Sequence, residues 1–345
     1  MTSTRFLAGD IGGTSTRLLL AERQKGVLRV LVEHWFESQH YTGLADVIHE
    51  FRQREGQAPI AAGCFAIAGP INHSADDESV RVTNLPWNIV RSELARAVTI
   101  PQLRLINDFE AVAYGIGQLA EQEMLVLQTG RAASHGPRAV LGAGTGLGQA
   151  LLLRHGDQDI VIPTEGGHVD FGPTDALQLE LAQWLMEKHG RASYEDILSG
   201  AGLARLYGFL HSRGDIPESA SVATVFKEGD PAAAIHAAAL KQDPLAQAAL
   251  DLFVKIYGAQ AGNLALSLGA TGGVYVAGGI APRIVEALRA GSFLEAFRGK
   301  GRMLELMQRI PLRIIVSPNV GLRGALAYAE RLLGIDALAG NDQGC

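Results

Sequence analysis

An apolar, strand-like run followed at once by a glycine-rich turn occurs three times in this sequence. Glycine lets the backbone bend sharply and lets its N–H groups approach a phosphate, because no Cβ stands in the way, and threonine adds a hydroxyl donor. A tight turn between strands is the alternative explanation for any one of these segments. Three turns with the same strand context predict a common phosphate-binding cleft. Its candidate residues are Gly9, Asp10, Gly12, Gly13, Thr14, Gly144, Thr145, Gly146, Gly278 and Gly279.

Two of these turns belong to similar stretches of sequence. Residues 7–20 read LAGDIGGTSTRLLL and residues 140–153 read VLGAGTGLGQALLL, and each places a Gly/Thr turn between two apolar strands. The similarity is short and depends on glycine, so chance is the alternative. We interpret the two stretches as a duplicated hairpin.

The chain is long enough for more than one hydrophobic core, since it has 345 residues of which 47% are hydrophobic. Strand and helix patterns alternate over roughly the first hundred residues, which predicts an α/β fold. From about residue 176 to 268 helical patterns dominate, and the chain then returns to strands and one last amphipathic helix. We predict a small α/β domain of residues 1–108 plus 320–345 and a larger α+β domain of residues 109–319.

Composition excludes several classes of protein. The net charge of −6, without a cluster of Lys and Arg, argues against a nucleic acid or a membrane surface as the main partner. The two cysteines, Cys64 and Cys345, cannot form a disulfide framework or a cysteine-based zinc site. The N-terminal residues show no secretory leader, so we expect a cytoplasmic protein. Residues 256–281 carry no charge, but glycines interrupt them, which predicts a buried helix and a core strand rather than a membrane span.

Two common nucleotide-binding motifs are absent from the sequence. Neither GxxxxGK[ST] nor a strict GxGxxG occurs, so the P-loop NTPases and the Rossmann dehydrogenases lose their main sequence support. A nucleotide would have to be held in another way.

Asn107 and Asp108 follow a buried strand and precede a helix, where a cleft between domains would open. Asn107 as a helix cap, with Glu110 completing a capping box, is the structural explanation. The functional one is that a carboxylate here orients a hydroxyl and accepts its proton.

Glu165 and His168 flank two glycines, and Glu195 follows in RASYEDILSG. Glu and His at this spacing are compatible with a metal site, but no further His or Cys is near enough in sequence to complete one. We therefore interpret the three side chains as ligands for hydroxyl groups.

Six motifs in order resemble the bacterial glucokinase family over nearly the whole chain. They are LAGDIGGTSTRLLL, LINDFEAVAYGI, GAGTGLGQA, PTEGGHVDFGP, ILSGAGL and VYVAGGIAPR. The resemblance implies a two-lobed actin-like ATPase (ribonuclease H-like) fold around a central cleft. It also implies a homodimer that transfers phosphate from Mg-ATP to the 6-hydroxyl of glucose, with ATP and Mg²⁺ as cofactors.

The same resemblance implies a role for each candidate residue. Asp108 would be the catalytic base and Asp10 would orient Mg²⁺ through water, although a turn-forming Asp10 is the alternative. Hydroxyl groups of the sugar would be bound by Asn107, Asp108, Glu165, His168, Glu195, Gly69 and Asn84, and the last two positions are explained equally well as a turn beside a buried aromatic residue.

Three other functions remain open at this point. A kinase for another hexose or amino sugar includes the ROK sugar kinases, whose cysteine-rich zinc motif is missing here because GHVDFGP continues without cysteine. A non-catalytic sugar-sensing regulator resembles such a kinase preceded by a helix-turn-helix domain, whereas the first strand here begins within a few residues. An actin-like filament protein would need the phosphate turns but not the two sugar motifs.

Overall fold

A computed structural model of the chain describes residues 3–74, 77–156, 158–219 and 230–339. The chain divides into two compact units, of which unit 1 comprises Met1–Ala120 and Ser317–Cys345 and unit 2 comprises Glu121–Val316. Unit 1 therefore extends past the predicted boundary at residue 108. The reason is that the helix beginning at Asp108 packs against the last helix of the chain. Cys345 lies outside the described residues.

The secondary structure alternates as the sequence patterns predict, and its elements are numbered here in chain order. The strands are β1 (Thr4–Ile11), β2 (Ser15–Gln24), β3 (Val27–Glu37), β4 (Ala62–Ile67), β5 (Asn72–His73), β6 (Glu78–Arg81), β7 (Asn88–Val90), β8 (Gln102–Asn107), β9 (Met124–Gln128), β10 (Arg138–Ala143), β11 (Leu147–His155), β12 (Gln158–Thr164), β13 (Gly273–Ala277) and β14 (Leu312–Ile315). The helices are α1 (Leu44–Glu55), α2 (Arg91–Val98), α3 (Asp108–Gly115), α4 (Ala176–His189), α5 (Gly200–Arg213), α6 (Pro231–Leu240), α7 (Pro244–Ser267), α8 (Val285–Arg289), α9 (Ser292–Arg298), α10 (Leu304–Arg309) and α11 (Val320–Ala339).

The main sheet of unit 1 has the strand order β3-β2-β1-β4-β8. Strand β1 runs antiparallel to β2 and parallel to β4, and β4 runs parallel to β8. The pairing aligns Ile11 with Ile67 and Ile67 with Asn107. The segments after β1, β4 and β8 therefore leave the sheet at one edge, where open α/β sheets bind their ligands.

The central strand β1 is buried on both faces of the sheet, and its successive side chains point alternately to the two faces. In β1, Leu7 and Ile11 belong to a core that includes side chains of α1 and α2. Phe6 and Ala8 belong to a second core with Leu322 and other side chains of α11. This two-sided burial explains why β1 has a continuous non-polar run at Phe6–Gly9 rather than an alternating pattern.

The sheet of unit 2 repeats the arrangement, with the strand order β12-β11-β10-β13-β14-β9. Strand β10 runs antiparallel to β11 and parallel to β13, and β13 runs parallel to β14. Both predicted hairpins, β1–β2 and β10–β11, are present. In each sheet the first strand of the hairpin, β1 or β10, also pairs with the first of the parallel strands that follow. The two Gly/Thr turns therefore occupy corresponding positions in the two sheets.

The uncharged stretch of residues 256–281 is a buried helix and a core strand, as predicted. The second half of α7 is buried on nearly all sides, and β13 is buried at every position. Within the described parts of the chain, no helix combines the length and the apolar character that crossing a membrane requires.

In unit 1, α3 and α11 approach each other at two glycines. A Cβ on Gly115 would lie 2.1 Å from the Val320 carbonyl oxygen, and one on Gly324 would lie 1.7 Å from the Ala111 carbonyl oxygen. The contact is between backbones, so it cannot be relieved by rotating a side chain. This close packing holds the helix that starts at Asp108.

We predict that Gly324→Ala lowers the free energy of unfolding by at least 1–3 kcal/mol, which is roughly the cost of overpacking. Gly334→Ala on the same helix is the matched control, since a Cβ there would have no described atom within 4 Å beyond its chain neighbours and the backbone of its own helix. Alanine favours helix over glycine by about 1 kcal/mol, so the control should be neutral or stabilising. Urea denaturation of both variants measures the difference, and equal effects would contradict the packing argument.

Candidate functional site

In unit 1 the turn after β1 is held by a buried serine. The Ser38 hydroxyl donates to the Gly12 carbonyl at 2.9 Å, and the Ser38 N–H donates to the Thr14 carbonyl at 3.0 Å. Ser38 is fully buried, whereas Thr14 at the tip of the turn is exposed. The turn is thus rigid at its base and accessible at its tip. Sequence reasoning missed Ser38, because a serine at the end of a strand carries no distinguishing pattern.

Two glycines of the first cluster have packing roles in the structure. Gly9 lies inside β1 rather than in the turn, and its Cβ would lie 2.5 Å from the Phe65 ring. A Cβ on Gly13 would lie 3.0 Å from the Asn84 Cβ, so the turn contacts the segment that contains Asn84. Asn84 itself has a left-handed backbone with φ of 63°. The predicted turn and this predicted sugar residue are therefore neighbours in unit 1.

Asp10, at the end of β1, forms an ion pair with Arg17. The two residues face each other across the β1–β2 hairpin, and the guanidinium donates to the Asp10 carboxylate at 2.5 Å. A second guanidinium nitrogen donates to the Asn319 side chain at 2.8 Å. Arg17 was not predicted. Its guanidinium compensates the charge of the Asp10 carboxylate. A cation that binds Asp10 therefore competes with this fixed guanidinium.

Asn107 caps α3, as the structural explanation predicts. Its side-chain oxygen accepts a hydrogen bond from the Phe109 N–H at 2.8 Å, and its side-chain nitrogen donates to the Gly69 carbonyl at 3.2 Å. Asp108 Oδ1 accepts from the same N–H at 2.9 Å. Gly69, Asn107 and Asp108 are therefore brought together at the carboxyl edge of the sheet, with the Asp108 carboxylate oriented by the helix terminus.

Glu110 completes the capping box predicted from its spacing. Its carboxyl accepts a hydrogen bond from the Asn107 N–H, while burial raises its pKa to about 7. The nearby charge of Glu78 raises this pKa as well, and Arg104 opposes that effect. A buried carboxyl that holds the Asn107 backbone is thus largely protonated below neutral pH.

In unit 2 the three predicted hydroxyl ligands form one cluster. His168 Nδ1 lies 3.7 Å from Glu195 Oε1, and His168 Nε2 lies 3.9 Å from Glu165 Oε2. The side chain of Glu195 is 33% exposed, and those of His168 and Glu165 are 56% and 71% exposed, so all three are accessible to a ligand. Two carboxylates beside an imidazole offer acceptors and a donor to adjacent hydroxyl groups.

The cluster is fixed by its backbone and by the neighbouring hairpin. The Glu195 N–H donates to the Gly167 carbonyl at 2.9 Å, and Glu195 Oε2 accepts from the Leu147 N–H at 2.9 Å. A Cβ on Gly146 would lie 2.5 Å from Glu195 Oε2, and one on Gly167 would lie 2.2 Å from the Leu147 carbonyl oxygen. The predicted phosphate turn therefore contacts the predicted sugar carboxylate directly.

The third glycine turn lies beside the second. Gly278 has φ of +83°, and the Ala143 carbonyl accepts a hydrogen bond from the Ile280 N–H at 3.1 Å. The buried Tyr257 hydroxyl accepts from the Ala143 N–H at 3.0 Å. Strands β10 and β13 are parallel neighbours, so both turns leave the same end of the sheet.

Both turns have space above their glycines. Apart from each glycine and its two chain neighbours, no atom of the described residues lies within 4 Å of a Cβ placed on Gly144 or Gly279, and Thr145 is exposed at the tip of its turn. The Gly144 carbonyl accepts from the Gly200 N–H at the start of α5, which fixes the turn. The turns thus combine a rigid base with an open face, as a phosphate would require.

Among the described residues no three His, Cys, Asp or Glu side chains are arranged to hold a metal ion. A single carboxylate such as that of Asp10 is nevertheless enough for Mg²⁺, because Mg²⁺ usually binds together with substrate phosphates and keeps several of its water ligands.

Comparison with known proteins identifies the same family across the chain. The family model described as Glucokinase matches residues 7–332. A glucokinase of Trichormus variabilis is 41% identical over 95% of this chain and 100% of its own.

Solved structures agree with that match. A glucokinase from an Antarctic psychrotroph superposes with a TM-score of 0.82 at 31% identity, over 95% of this chain and 99% of its own. A glucokinase from Balamuthia mandrillaris, solved in complex with glucose, gives a TM-score of 0.76 at 27% identity, over 95% and 94% of the two chains. The predicted actin-like ATPase fold is confirmed by this similarity.

Glu110 gives a prediction for the pH dependence of stability. Its pKa is higher in the folded chain than the ordinary value of 4.5. Between pH 4.5 and 7 the folded state holds a proton that the unfolded state has lost, so stability falls as pH rises through this window. Glu110→Gln keeps an acceptor for the Asn107 N–H but does not titrate.

We expect the stability of the wild type relative to Glu110→Gln to decrease by about 2–3 kcal/mol between pH 5 and 7.5 and to level off above that. Urea denaturation at several pH values measures the difference. A difference in unfolding free energy that does not change with pH would contradict the raised pKa of Glu110.

Proposed function

The chain belongs to the glucokinase family, and from that premise we propose that it transfers the γ-phosphoryl group of ATP to the 6-hydroxyl of glucose. The products are glucose 6-phosphate and ADP. The observation that carries the proposal is the contact between Gly146 and Glu195 in unit 2. A turn suited to phosphate and a cluster suited to a sugar adjoin there, as phosphate transfer to a sugar demands.

Glucose is held by the Glu165, His168 and Glu195 cluster through the hydroxyls near its anomeric carbon. A carboxylate accepts hydrogen bonds from two adjacent hydroxyls, and the imidazole supplies a donor or an acceptor. If a sugar lacks one of these hydroxyls, a polar group in the site stays unpaired, which costs about 1–3 kcal/mol. This cost selects glucose over analogues without those hydroxyls.

Asp108 accepts the proton of the attacking hydroxyl. As the bond from the sugar oxygen to the γ-phosphorus forms, the bond to the β-phosphate oxygen breaks and ADP leaves. The hydrogen bond from the Phe109 N–H to Asp108 Oδ1 orients the carboxylate for this transfer. Asn107 keeps one amide proton beyond its bond to the Gly69 carbonyl, and this proton is donated to a neighbouring sugar hydroxyl. Gly69 and Asn84 border the sugar from the same unit.

The triphosphate is bound by the glycine turns. Gly12, Gly13 and Thr14 do so in unit 1, and Gly144, Thr145, Gly146, Gly278 and Gly279 do so in unit 2. When bound, Mg²⁺ neutralises charge on the β- and γ-phosphates. Asp10 would hold it through water, next to the guanidinium of Arg17. Gly9 serves this site by packing inside β1 rather than by contact.

A cytoplasmic location and a homodimeric state complete the proposal. The homodimeric state comes from the family resemblance, and the location is the expectation drawn from the sequence. Size-exclusion chromatography with light scattering tests the dimer, and phosphorylation assays with mannose and glucosamine define how many hexoses the enzyme accepts.

We predict that Asp108→Asn lowers kcat for glucose phosphorylation by about 10²–10⁴-fold, the usual contribution of a general base. Asparagine keeps the oxygen that accepts the Phe109 N–H, so the melting temperature should stay within a few degrees of wild type. A coupled assay for ADP release measures turnover. A folded variant with wild-type turnover would contradict the role of Asp108.

Gly146→Ala tests the contact between the turn and the sugar cluster. The added methyl group would overlap Glu195 Oε2 and displace this carboxylate. A displaced ligand leaves a sugar hydroxyl unpaired, which costs about 1–3 kcal/mol, so we expect the KM for glucose to rise roughly tenfold. In the matched variant Gly144→Ala the methyl group meets no protein atom among the described residues, so the KM for ATP should change and that for glucose should not. Equal effects on the KM values for ATP and for glucose in both variants would refute the assignment of Gly144 to ATP and of Gly146 to the contact with the sugar cluster.

A further inference from the structure

A chain of hydrogen bonds runs through the interior of unit 2 to the residue before Glu195. The Lys300 ammonium donates to the Asn263 side-chain oxygen at 2.7 Å and to the Ala259 carbonyl at 2.9 Å. The Asn263 side-chain nitrogen donates to the Tyr194 hydroxyl at 2.8 Å. None of these three side chains has a role in the proposed chemistry. The chain therefore requires its own explanation.

The direction of every bond in this chain is fixed by Lys300. An ammonium group can only donate hydrogen bonds, so the Asn263 oxygen must face it. The Asn263 nitrogen must then face Tyr194, whose hydroxyl accepts. The same nitrogen lies 3.3 Å from the side-chain oxygen of the buried Gln260, which agrees with this orientation. Lys300 thus determines which end of the Asn263 side-chain amide faces the Tyr194 hydroxyl.

Lys300 reaches this position because α7 and α9 are very close. A Cβ on Gly262 would lie 2.6 Å from Lys300 Cε and 2.5 Å from the Phe297 carbonyl oxygen. Lys300 also lines a cleft of about 410 Å³ together with Lys255, Ser292 and other residues. Its pKa is lowered because burial disfavours the ammonium form. No carboxylate of the described residues pairs with it, so this partly buried charge is compensated only by two neutral oxygens, which points to a role other than stabilisation.

Tyr194 connects this chain of hydrogen bonds to the neighbouring Glu195. Its N–H donates to the Val169 carbonyl at 3.1 Å, and the next N–H, that of Glu195, donates to the Gly167 carbonyl at 2.9 Å. Its ring is buried and packs edge to face on Phe171 at 5.5 Å. The Tyr194 side chain is therefore held at its hydroxyl and at its ring. Glu195, the next residue, has its main chain held against Gly167 in the loop that carries His168.

We propose that Lys300 and Asn263 are positioning residues that act through Tyr194 to hold Glu195 where it binds the sugar. The inference rests on the proposed function, since it assigns Glu195 to glucose. Neither residue touches substrate. Together they set the affinity for glucose and the discrimination among its hydroxyls rather than the rate of phosphoryl transfer.

The test compares Lys300→Met and Tyr194→Phe with the wild type in full steady-state kinetics. Methionine fills the space of lysine without its donors, and phenylalanine removes one oxygen from the chain. We expect the KM for glucose to rise about tenfold in each, a typical cost of removing a supporting residue, with kcat and the KM for ATP within about twofold of wild type. Selectivity for glucose over 1-deoxyglucose and 2-deoxyglucose should fall in the same variants, because Glu195 would no longer be held in place.

Lys255→Met is the matched control. Lys255 lines the same cleft, but its ammonium bonds to Asp175 at 2.7 Å and not to Asn263. The Lys255→Met substitution removes the same charge without interrupting the hydrogen-bond chain, so the kinetics of this variant should equal those of the wild type. The double variant Lys300→Met/Tyr194→Phe should be no worse than either single variant, because both changes interrupt one path.

Unchanged glucose KM in the single variants would overturn the inference, as would additive effects in the double variant. A joint loss of kcat, both KM values and melting temperature would also overturn it, since that result indicates a structural role only. If Lys300→Met does not fold, Tyr194→Phe decides alone. Failure of the proposed function is distinct, because the wild type itself would then not phosphorylate glucose.

Discussion

The hydrogen bond from the Leu147 N–H to the Glu195 carboxylate joins the turn that we propose for phosphate to the cluster that we propose for the sugar in unit 2. Leu147 begins β11 immediately after the glycine turn, and Gly146 has no side chain that would push Glu195 away. The same carboxylate faces His168. A displacement of either element would therefore move the other, which couples the geometry of the turn that we propose for phosphate to that of the side chains that we propose for the sugar.

This contact depends on a strand arrangement that occurs in both units. An antiparallel hairpin is followed by parallel strands, β4 and β8 in unit 1 and β13 and β14 in unit 2. Parallel strands bring their carboxyl ends to one edge, and loops leaving that edge are where α/β sheets place function. Every residue that we assign to substrate lies on such a loop or directly beside one. In unit 1, the close packing of α3 on α11 at Gly115 and Gly324 holds the helix that follows β8 at this edge.

Much of the fold could be predicted from the sequence because its signals are local. Apolar runs ending in glycine identified the strands, and the similarity of residues 7–20 to residues 140–153 identified both hairpins. The capping box of Asn107 and Glu110 was likewise a matter of spacing. Contacts between residues far apart in the chain were missed, namely those of Ser38, Tyr257 and Lys300. No pattern marks such residues, since each is defined only by what the fold brings to it.

Gly9 illustrates a second limit. A glycine that must accommodate a neighbouring side chain and one that must accommodate a phosphate look the same in a sequence, and only the structure shows that a Cβ on Gly9 would meet the Phe65 ring. Asp10 likewise could be identified as an acidic residue beside the turn, but its pairing with Arg17 depends on the register of a hairpin. The sequence therefore predicts which segments form the site more reliably than which side chains are engaged within it.

The central claim is that glucose binds to the Glu165, His168 and Glu195 cluster with its 6-hydroxyl at Asp108. A crystal structure of the protein with bound glucose tests it most directly. We predict hydrogen bonds from the three side chains to hydroxyls near the anomeric carbon, and an Asp108 carboxylate oxygen within hydrogen-bonding distance of the 6-hydroxyl. Glucose bound elsewhere, or an Asp108 carboxylate that does not contact the 6-hydroxyl, would contradict the account.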